Sequence, residues 1–334
     1  MNAFKLIIIK NEKKMKNLAF IKNTSLKIGG FATLAFVLFT IQSCNKDEYQ
    51  VIQGAEAVPT ETALKELFDG KLAAISSVQL FQANTTMNWT SPKGVVLNIN
   101  GSCLRKNGNP VVGEVKVLYT EIFDKGTMLT TNKPTMGNNA GTQQLLLSGG
   151  EFNIVASQDG VLLTTTCPFS LTIPAALTGG TQAGMLPFAG TIKPDGNLVW
   201  DQAPTYELLT NIGQGPIAAT YQALVPNFGW FNCDRFANNT GPKTTITTNV
   251  PAGYGANSTI FLAVKSIPNC LGKTYGQFPI GLDCNIIFIT TKDGKFRYAI
   301  KPQILTANHT ITFNLSDTTL GTPAELTTAI NALP

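Results

Sequence analysis

The sequence has little histidine, and its cysteines are widely spaced. His309, in "ANHTITF", is the single histidine among 334 residues. One imidazole leaves only one base for Ser-His-Asp catalysis and excludes a metal site built from several histidines. Its place at the entry to a strand predicts a partly exposed turn residue. None of the six cysteines is spaced C-x-x-C, which argues against structural zinc and thioredoxin-like redox chemistry.

The sequence has a net charge of +5, but residues 44–334 carry no excess of basic residues. Residues 1–43 hold seven lysines and one acid, which leaves 18 of the 25 basic and 19 of the 20 acidic residues for 44–334. A nearly neutral body has no basic stripe to neutralise phosphates, so we exclude nucleic acid as a partner. The segment "GGTQAG" is not placed between a strand and a helix, so it does not indicate a nucleotide site.

The apolar run from Ile28 to Ile41 follows the lysine-rich start and spans fourteen residues. It is too short for a comfortable transmembrane helix and has the length of a signal-peptide core. We therefore interpret 1–43 as a signal peptide. An uncleaved membrane anchor is the alternative.

The run ends at Ile41-Gln42-Ser43-Cys44, which resembles the bacterial lipobox of an aliphatic residue, two small or polar residues and a cysteine. In that motif the cysteine sulfur takes a diacylglyceryl group, and cleavage then frees the amine for a third acyl chain. Several acyl chains hold a protein stably on a membrane, so we predict lipidation at Cys44. An ordinary cleavage site with an incidental cysteine is the alternative.

The residues after Cys44 indicate where in the cell envelope the protein is located. Lys46, Asp47 and Glu48 resemble the short acidic export signal of Bacteroidota lipoproteins, which sends them to the outer face of the outer membrane. We therefore expect an outer-membrane protein displayed on the cell surface. A solvated, charged tether is the alternative, because residues 45–59 show no periodic pattern.

Beyond the tether the sequence predicts an all-β fold of two antiparallel β-sandwich domains, Ig-like or prealbumin-like, with a short helix at each end. Alternating runs such as "VVLNING" and "GEVKVLYTEIF" indicate strands, and turns are expected at "RKNGNPV", "QDG" and Asp293-Gly294. From Thr60 the apolar residues lie on one helical face, although Gly70 interrupts it and predicts a short or broken helix. Thr322, Pro323 and Glu325 predict the start of a C-terminal helix.

These patterns give a domain plan. Residues 1–43 are the signal peptide, and 44–77 are the lipidated tether and short helix. A first sandwich occupies 78–177, and a linker rich in glycine and proline occupies 178–207. A second sandwich with the C-terminal helix occupies 208–334.

The sequence contains a Gly-x-Pro-Val-x-Gly turn at Gly108–Gly113, a following strand that ends in Glu121, and Ser148-Gly149-Gly150 before the next strand. These three motifs resemble those of a widespread family of Bacteroidota cell-surface lipoproteins. The first half of the turn also resembles carboxypeptidase-regulatory-like β-sandwich modules. The resemblance implies extracytoplasmic β-sandwiches and brings no catalytic residues.

Outside the cytoplasm, cysteines can form disulfides. Cys270 and Cys284 flank a loop that contains glycine and proline, and a bridge there would contribute about 3 kcal/mol on the entropic model. Cys103 with Cys167 is the second predicted pair. Cys233 is then left as a small buried hydrophobe. Other pairings among these five cysteines remain open.

The segment "PNFGWFNCDRF" concentrates aromatic rings around two charges. Aromatic rings beside charged groups hold sugars by stacking and hydrogen bonding, so the segment supplies candidate ligand contacts. We favour core or interdomain packing, with an ion pair between Asp234 and Arg235, over ligand contact. The candidate contacts are Phe228, Trp230, Phe231, Asp234 and Arg235, and the same two readings apply to Trp89 and Trp200.

Acidic residues offer little further chemistry. Glycoside hydrolysis needs two facing carboxylates, but no pattern selects a pair among Glu114, Glu121, Asp124, Glu151 and Asp201. The segment "KPDGNLVWD", with Asp195, Asn197 and Asp201, lacks the dense acidic spacing of a calcium loop. We therefore expect no metal and no cofactor.

The sequence as a whole favours a lipid-anchored surface protein with a non-catalytic structural, adhesive or binding role. Its expected partners are the membrane, through the lipid, and a surface protein or a glycan. One alternative is a glycan-binding accessory lipoprotein of an outer-membrane uptake system. A second alternative is a carboxylate-dependent hydrolase.

Overall fold

The computed structural model describes residues 56–194, 196–214, 218–237 and 241–334. The predicted signal peptide, Cys44 and the segment Lys46-Asp47-Glu48 lie outside the described residues, as does Asp195. The described residues belong to one compact unit that spans 55–334. None of their helices combines the length and the apolar character needed to cross a membrane.

Strands dominate the described chain, which confirms the all-β prediction in its general form. The helices are α1 (Glu61–Ile75), α2 (Lys125–Thr130) and α3 (Pro323–Asn331). The first strands are β1 (Ser77–Gln82), β2 (Thr86–Thr90), β3 (Val96–Asn100), β4 (Leu104–Lys106), β5 (Asn109–Pro110), β6 (Glu114–Ile122), β7 (Met136–Asn139), β8 (Thr142–Gln158), β9 (Val161–Leu162), β10 (Thr164–Thr165), β11 (Phe169–Pro174), β12 (Leu186–Ile192) and β13 (Leu198–Gln202). The later strands are β14 (Glu207–Asn211), β15 (Thr220–Val225), β16 (Gly229–Phe236), β17 (Lys243–Thr244), β18 (Ile246–Asn249), β19 (Thr259–Val264), β20 (Leu271–Lys273), β21 (Phe278–Pro279), β22 (Asp283–Lys292), β23 (Lys295–Ile304), β24 (His309–Thr312) and β25 (Thr319–Gly321).

Two sheets share the largest core. The large sheet has the order β1-β6-β8-β16-β12-β13-β7, and the cover sheet has the order β14-β15-β11-β3-β2. Val117 and Ile154 of the large sheet enter the same buried cluster as Leu171 and Tyr221 of the cover sheet. Alternate residues point into this cluster because successive side chains of a strand face opposite sides.

Five strands of the large sheet close into a ring, because β7 pairs with both β8 and β13. These strands contribute the small buried cluster of Leu146, Phe188, Leu198 and Trp200. The Trp200 indole Nε1 donates a hydrogen bond to the Pro134 carbonyl oxygen at 3.0 Å. Trp200 is therefore a core residue, and the suspicion of ligand contact raised by the sequence is wrong for it.

A third sheet, the C-terminal sheet, has the order β20-β19-β22-β23-β25 and is covered on both faces. Ile286 and Phe288 of β22 pack into one buried cluster, and Ile287 and Ile289 pack into another that includes residues of all three helices. A strand buried on both faces has a continuous apolar run, as β22 does in "IIFI", residues 286–289.

The N-terminal helix is unbroken, contrary to the prediction. The Thr60 hydroxyl accepts a hydrogen bond from the Ala63 amide at 3.2 Å, and the helix then continues through Gly70 to Ile75. Glycine in a helix costs about 1 kcal/mol relative to alanine. Burial of Leu64 and Phe68 against the C-terminal sheet offsets this cost.

The C-terminal helix begins as predicted. The Thr322 hydroxyl accepts a hydrogen bond from the Glu325 amide, and the Glu325 carboxylate accepts one from the Thr322 amide at 2.7 Å. Pro323 occupies the first turn, and Leu326 and Ile330 are fully buried. Helix α2 was not predicted, because its six residues are too few for a periodic pattern.

The predicted hairpin turns are confirmed at three places. Asn107-Gly108, Asp159-Gly160 and Asp293-Gly294 each have two consecutive residues with positive φ, between 49° and 83°. A type I′ turn requires this conformation, which asparagine, aspartate and glycine adopt most easily. The turns connect β4 to β5, β8 to β9 and β22 to β23.

The predicted linker at 178–207 is wrong. It contains β12 and β13, which are strands of the large sheet. Strands β14, β15 and β16, expected in the second domain, pair instead with strands of the large and cover sheets. The glycines and prolines of 178–207 lie largely at turns and strand ends, so their density did not indicate a flexible connection.

Candidate functional site

The aromatic segment 228–236 lies in the middle of the large sheet rather than on a binding surface. β16 pairs with β8 on one side and with β12 on the other. Phe231 is 1% exposed, and Phe228 stacks on Phe169 with ring centroids 5.1 Å apart. Trp230 meets Trp200 edge-on at 6.2 Å. The structure thus favours the core-packing reading of these rings.

The two charges of this segment do not form the expected ion pair. Asp234 has no exposed surface, whereas Arg235 is half-buried and donates from Nε to the Gln182 Oε1 at 3.0 Å. Asp234 and Phe231 have no surface to offer a ligand, so the prediction of ligand contact is wrong for these two residues. Trp230 is half-buried, and the Lys133 ammonium lies 5.4 Å from its ring centroid.

Most of the candidate acids have ordinary structural roles. Glu114 is exposed on β6. Asp124 caps α2, because its Oδ1 accepts a hydrogen bond from the Thr127 amide at 2.8 Å. Asp201 accepts from the Asn138 side-chain amide at 2.8 Å. No two of these three face each other, so they form no hydrolytic pair.

Glu151 and Asp234 form a polar centre buried inside the large sheet. They lie on the adjacent strands β8 and β16, where Glu151 is opposite Asn232 and Asp234 is opposite Ser148. All four of these side chains are fully buried. The Ser148 hydroxyl donates to the Asn232 Oδ1 at 2.8 Å. The carboxyl oxygens of Glu151 and Asp234 have no hydrogen-bond partner among the described residues.

Burial controls the protonation of this centre. It raises the pKa of the Asp234 carboxyl well above its usual range. Burial also raises the pKa of Glu151 well above its usual range, and the nearby charge of Asp234 adds to the rise, whereas Lys133 opposes it. Desolvation disfavours an ionised carboxylate. The centre is therefore suited to hold neutral carboxyl groups in the folded chain.

Glu121 lines a small cavity. Its Oε2 accepts hydrogen bonds from the Ser91 hydroxyl and the Tyr119 hydroxyl, both at 2.8 Å. The cavity has a volume of about 250 Å³ and is also lined by Trp89 and Lys93. Burial and the Glu121 charge raise the pKa of Tyr119, which keeps its hydroxyl a donor. The sequence singled out Glu121 and Trp89 separately and gave no sign that they share a cavity.

A larger groove of about 580 Å³ runs beside α1. Lys65 forms an ion pair with Asp69 of the same helix. Lys273 donates from Nζ to the Asn132 Oδ1 at 2.8 Å. Lys65, Asp69 and Lys273 of this groove thus have partners within the protein.

The outward face of the cover sheet is nearly free of charge. The register of its five strands brings their exposed and half-buried residues onto one face. Most of these residues carry hydroxyl or amide groups, and Glu207 is the single charged residue in the five strands. Interfaces are depleted of charged residues at their centre. The outward-facing polar residues are Thr86, Asn88, Thr90, Asn98, Asn100, Ser170, Thr172, Asn211, Thr220 and Gln222.

One of the two predicted disulfides is present. Cys103 and Cys167 are bonded, with Cα atoms 5.7 Å apart. Cys270 and Cys284 are free and buried, so that prediction is wrong. Strand β19 separates them, because it pairs with β20 on one side and β22 on the other. Two strand spacings are about 10 Å, beyond the reach of a disulfide. Cys233 is free and buried, as expected.

The remaining candidates do not form a metal site. His309 is buried at the start of β24, contrary to the exposed turn predicted, and its Nδ1 accepts from the Thr306 amide at 3.3 Å. In the described ranges, no group of three or more histidine, cysteine, aspartate or glutamate residues is arranged to hold a metal ion. Asn197 and Asp201 of the "KPDGNLVWD" segment are described, whereas Asp195 is not.

Comparison with known proteins adds no further assignment. No family model matches the sequence, and no curated protein is similar enough to count as a relative.

Proposed function

We propose that this protein is lipid-anchored at Cys44 and displayed on the outer face of a bacterial outer membrane, where its body has a non-catalytic structural, adhesive or binding role. The single observation that carries the proposal is the sequence Ile41-Gln42-Ser43-Cys44 directly after a fourteen-residue apolar run. Three acyl chains on one cysteine would hold the body without a membrane-spanning helix. The acidic segment after Cys44 supports the surface location.

The disulfide supports export from the cytoplasm. Cys103 and Cys167 are bonded within the described body. Structural disulfides persist in oxidising compartments and are rare in the cytosol. A lipoprotein that crosses the inner membrane meets this condition.

The start of the body limits its distance from the membrane. Glu56 accepts a hydrogen bond from Arg297 at 2.7 Å, and it forms an ion pair with Lys292 at 2.9 Å. Eleven residues, 45–55, separate this point from Cys44. Even fully extended, they would span about 40 Å, so the body would stay close to the lipid surface.

The cover sheet supports a binding or adhesive role. A partner could cover its outward face while removing water from few ionised groups, since Glu207 is the single charged residue of these strands. We further propose that the sheets form two antiparallel sandwiches and that the chain belongs to the Bacteroidota lipoprotein family that its motifs resemble. The shared core of the large and cover sheets supports the first sandwich.

The two alternatives gain no support from the residues first assigned to them. The glycan-binding alternative rested on the 228–236 aromatics, which are mostly committed to packing. The hydrolase alternative needs two carboxylates that reach substrate. Glu151 and Asp234 are fully buried on adjacent strands, and they line neither the cavity at Glu121 nor the groove beside α1. We therefore propose no catalytic activity.

Fractionation of cells that express matched variants tests the proposal. We expect the parent chain and the Ser43→Ala control to be found in the membrane fraction, because alanine is also small enough for the peptidase. Cys44→Ala should leave the membrane fraction. Protease added outside intact cells should degrade the parent chain. Membrane retention of Cys44→Ala would contradict the lipid anchor, and full protection from protease would contradict surface display.

A further inference from the structure

We propose that the cavity at Glu121 binds the primary ammonium group of a small amine. Glu121 is 8% exposed, and both of its protein donors, Ser91 and Tyr119, bind the same oxygen, Oε2. No hydrogen bond to the other oxygen, Oε1, is found in the described ranges. This oxygen is therefore free to accept a hydrogen bond from a ligand inside the cavity.

The negative charge of the Glu121 carboxylate favours a cationic ligand in this cavity. No lysine or arginine of the described chain lies within ion-pair distance of Glu121, although the side chain is almost wholly buried. Lys93 lines the same cavity, but its ammonium lies over the Phe123 ring, 4.8 Å from the centroid. A nearly buried carboxylate without a counter-ion is matched best by a ligand that brings one.

The walls of the cavity suit the rest of such a ligand. Trp89 and Tyr119 meet edge-on at 4.9 Å, and both line the cavity together with the apolar side chains of Ile75 and Pro92. Aromatic rings attract cations, and apolar walls accept a short carbon chain. The volume of about 250 Å³ lies below the range of drug-sized pockets. The ligand is therefore a small amine rather than an oligosaccharide or a folded partner.

Calorimetric titration of the purified full chain in detergent tests this inference, with n-butylammonium as the probe and n-butanol and butyrate as its neutral and anionic counterparts. We expect saturable binding of n-butylammonium and none of the other two. Glu121→Gln should weaken binding about tenfold or more, since a hydrogen bond to a charged group contributes about 1.5–3 kcal/mol. Glu114→Gln, which changes an exposed glutamate on the same strand, should leave the affinity unchanged.

The comparison of n-butylammonium with n-butanol needs no variant, so it decides the matter even where Glu121→Gln fails to fold. The inference is overturned by equal binding of the alcohol, by unchanged affinity in Glu121→Gln, or by the absence of amine binding to the parent chain. Lipid anchoring at Cys44 takes no part in these measurements, so its failure would be seen separately in cell fractionation.

Discussion

The buried pair Glu151 and Asp234 predicts that the protein becomes less stable as the pH rises. Both pKa values are raised in the folded chain, whereas the unfolded chain returns them to about 4. Above that pH the folded state binds more protons than the unfolded state, so the free energy of unfolding falls with pH until the folded pKa values are passed. Stability from these groups is therefore complete at low pH and is lost at higher pH.

The size of the effect follows from proton linkage. Each proton retained by the folded state changes the free energy of unfolding by about 1.4 kcal/mol per pH unit. While both carboxyls stay protonated in the folded chain, the loss is up to about 3 kcal/mol per unit. Three other carboxyl groups have lowered pKa values in the folded chain. Their contribution to the free energy of unfolding is lost only as the pH falls below the ordinary carboxyl pKa, and they are Glu56, Asp317 and Glu325. They leave the window from pH 5 to 7 undisturbed.

Urea unfolding at pH 5, 6 and 7 measures this slope directly. We expect Glu151→Gln to make the slope shallower, by up to about 1.4 kcal/mol per pH unit, because glutamine keeps the shape and cannot ionise. Glu114→Gln, at an exposed site, should keep the slope of the parent chain. A parent stability that is constant or rises from pH 5 to 7 would refute the reasoning, as would an unchanged slope in Glu151→Gln.

Two further predictions concern stability. Replacing both Cys103 and Cys167 by alanine opens a loop with a sequence separation of 64, and we expect the free energy of unfolding to fall by about 4 kcal/mol on the entropic model. Reductant should then affect the parent chain and not the double variant; equal sensitivity would contradict the bond. Trp200→Ala should cost about 3 kcal/mol or more, because the ring is fully buried in the core. Thermal unfolding measures this cost, and an unchanged melting temperature would place the ring outside the core.

Local signals were read correctly from the sequence because their causes are local. The positive φ values at Asn107-Gly108 and Asp293-Gly294 follow from residue types that tolerate that conformation. The capping box at Thr322 and Glu325 depends on residues three positions apart. Such features need no knowledge of distant strands.

Structural features that depend on contacts between distant strands were predicted less well from the sequence. The sequence placed Ser148-Gly149-Gly150 before a strand, but all three lie inside β8. A Cβ on Gly149 would lie 3.0 Å from the Cys233 carbonyl oxygen on β16, and one on Gly150 would lie 2.7 Å from the Phe123 ring. The glycines thus mark close packing against segments that are far away in the sequence, and their spacing alone indicates a turn equally well.

The candidate site shows the same division. The sequence indicated Glu121 only as the acid at the end of a strand. Its buried hydrogen bond from the hydroxyl of Ser91, thirty residues away, could not be predicted from local sequence. The burial of Glu151 and Asp234 on adjacent strands depends on the register between β8 and β16, which shifts between Asn232 and Asp234. A bulge of this kind leaves no mark in a single sequence.

Mass spectrometry of the amino-terminal peptide of the mature protein tests the central claim most directly. The proposal predicts a peptide that begins at Cys44 and carries the added mass of a diacylglyceryl group and a third acyl chain. An unmodified peptide that begins at Cys44, or one that begins elsewhere with Cys44 unacylated, would contradict the claim that lipid holds this body at the membrane.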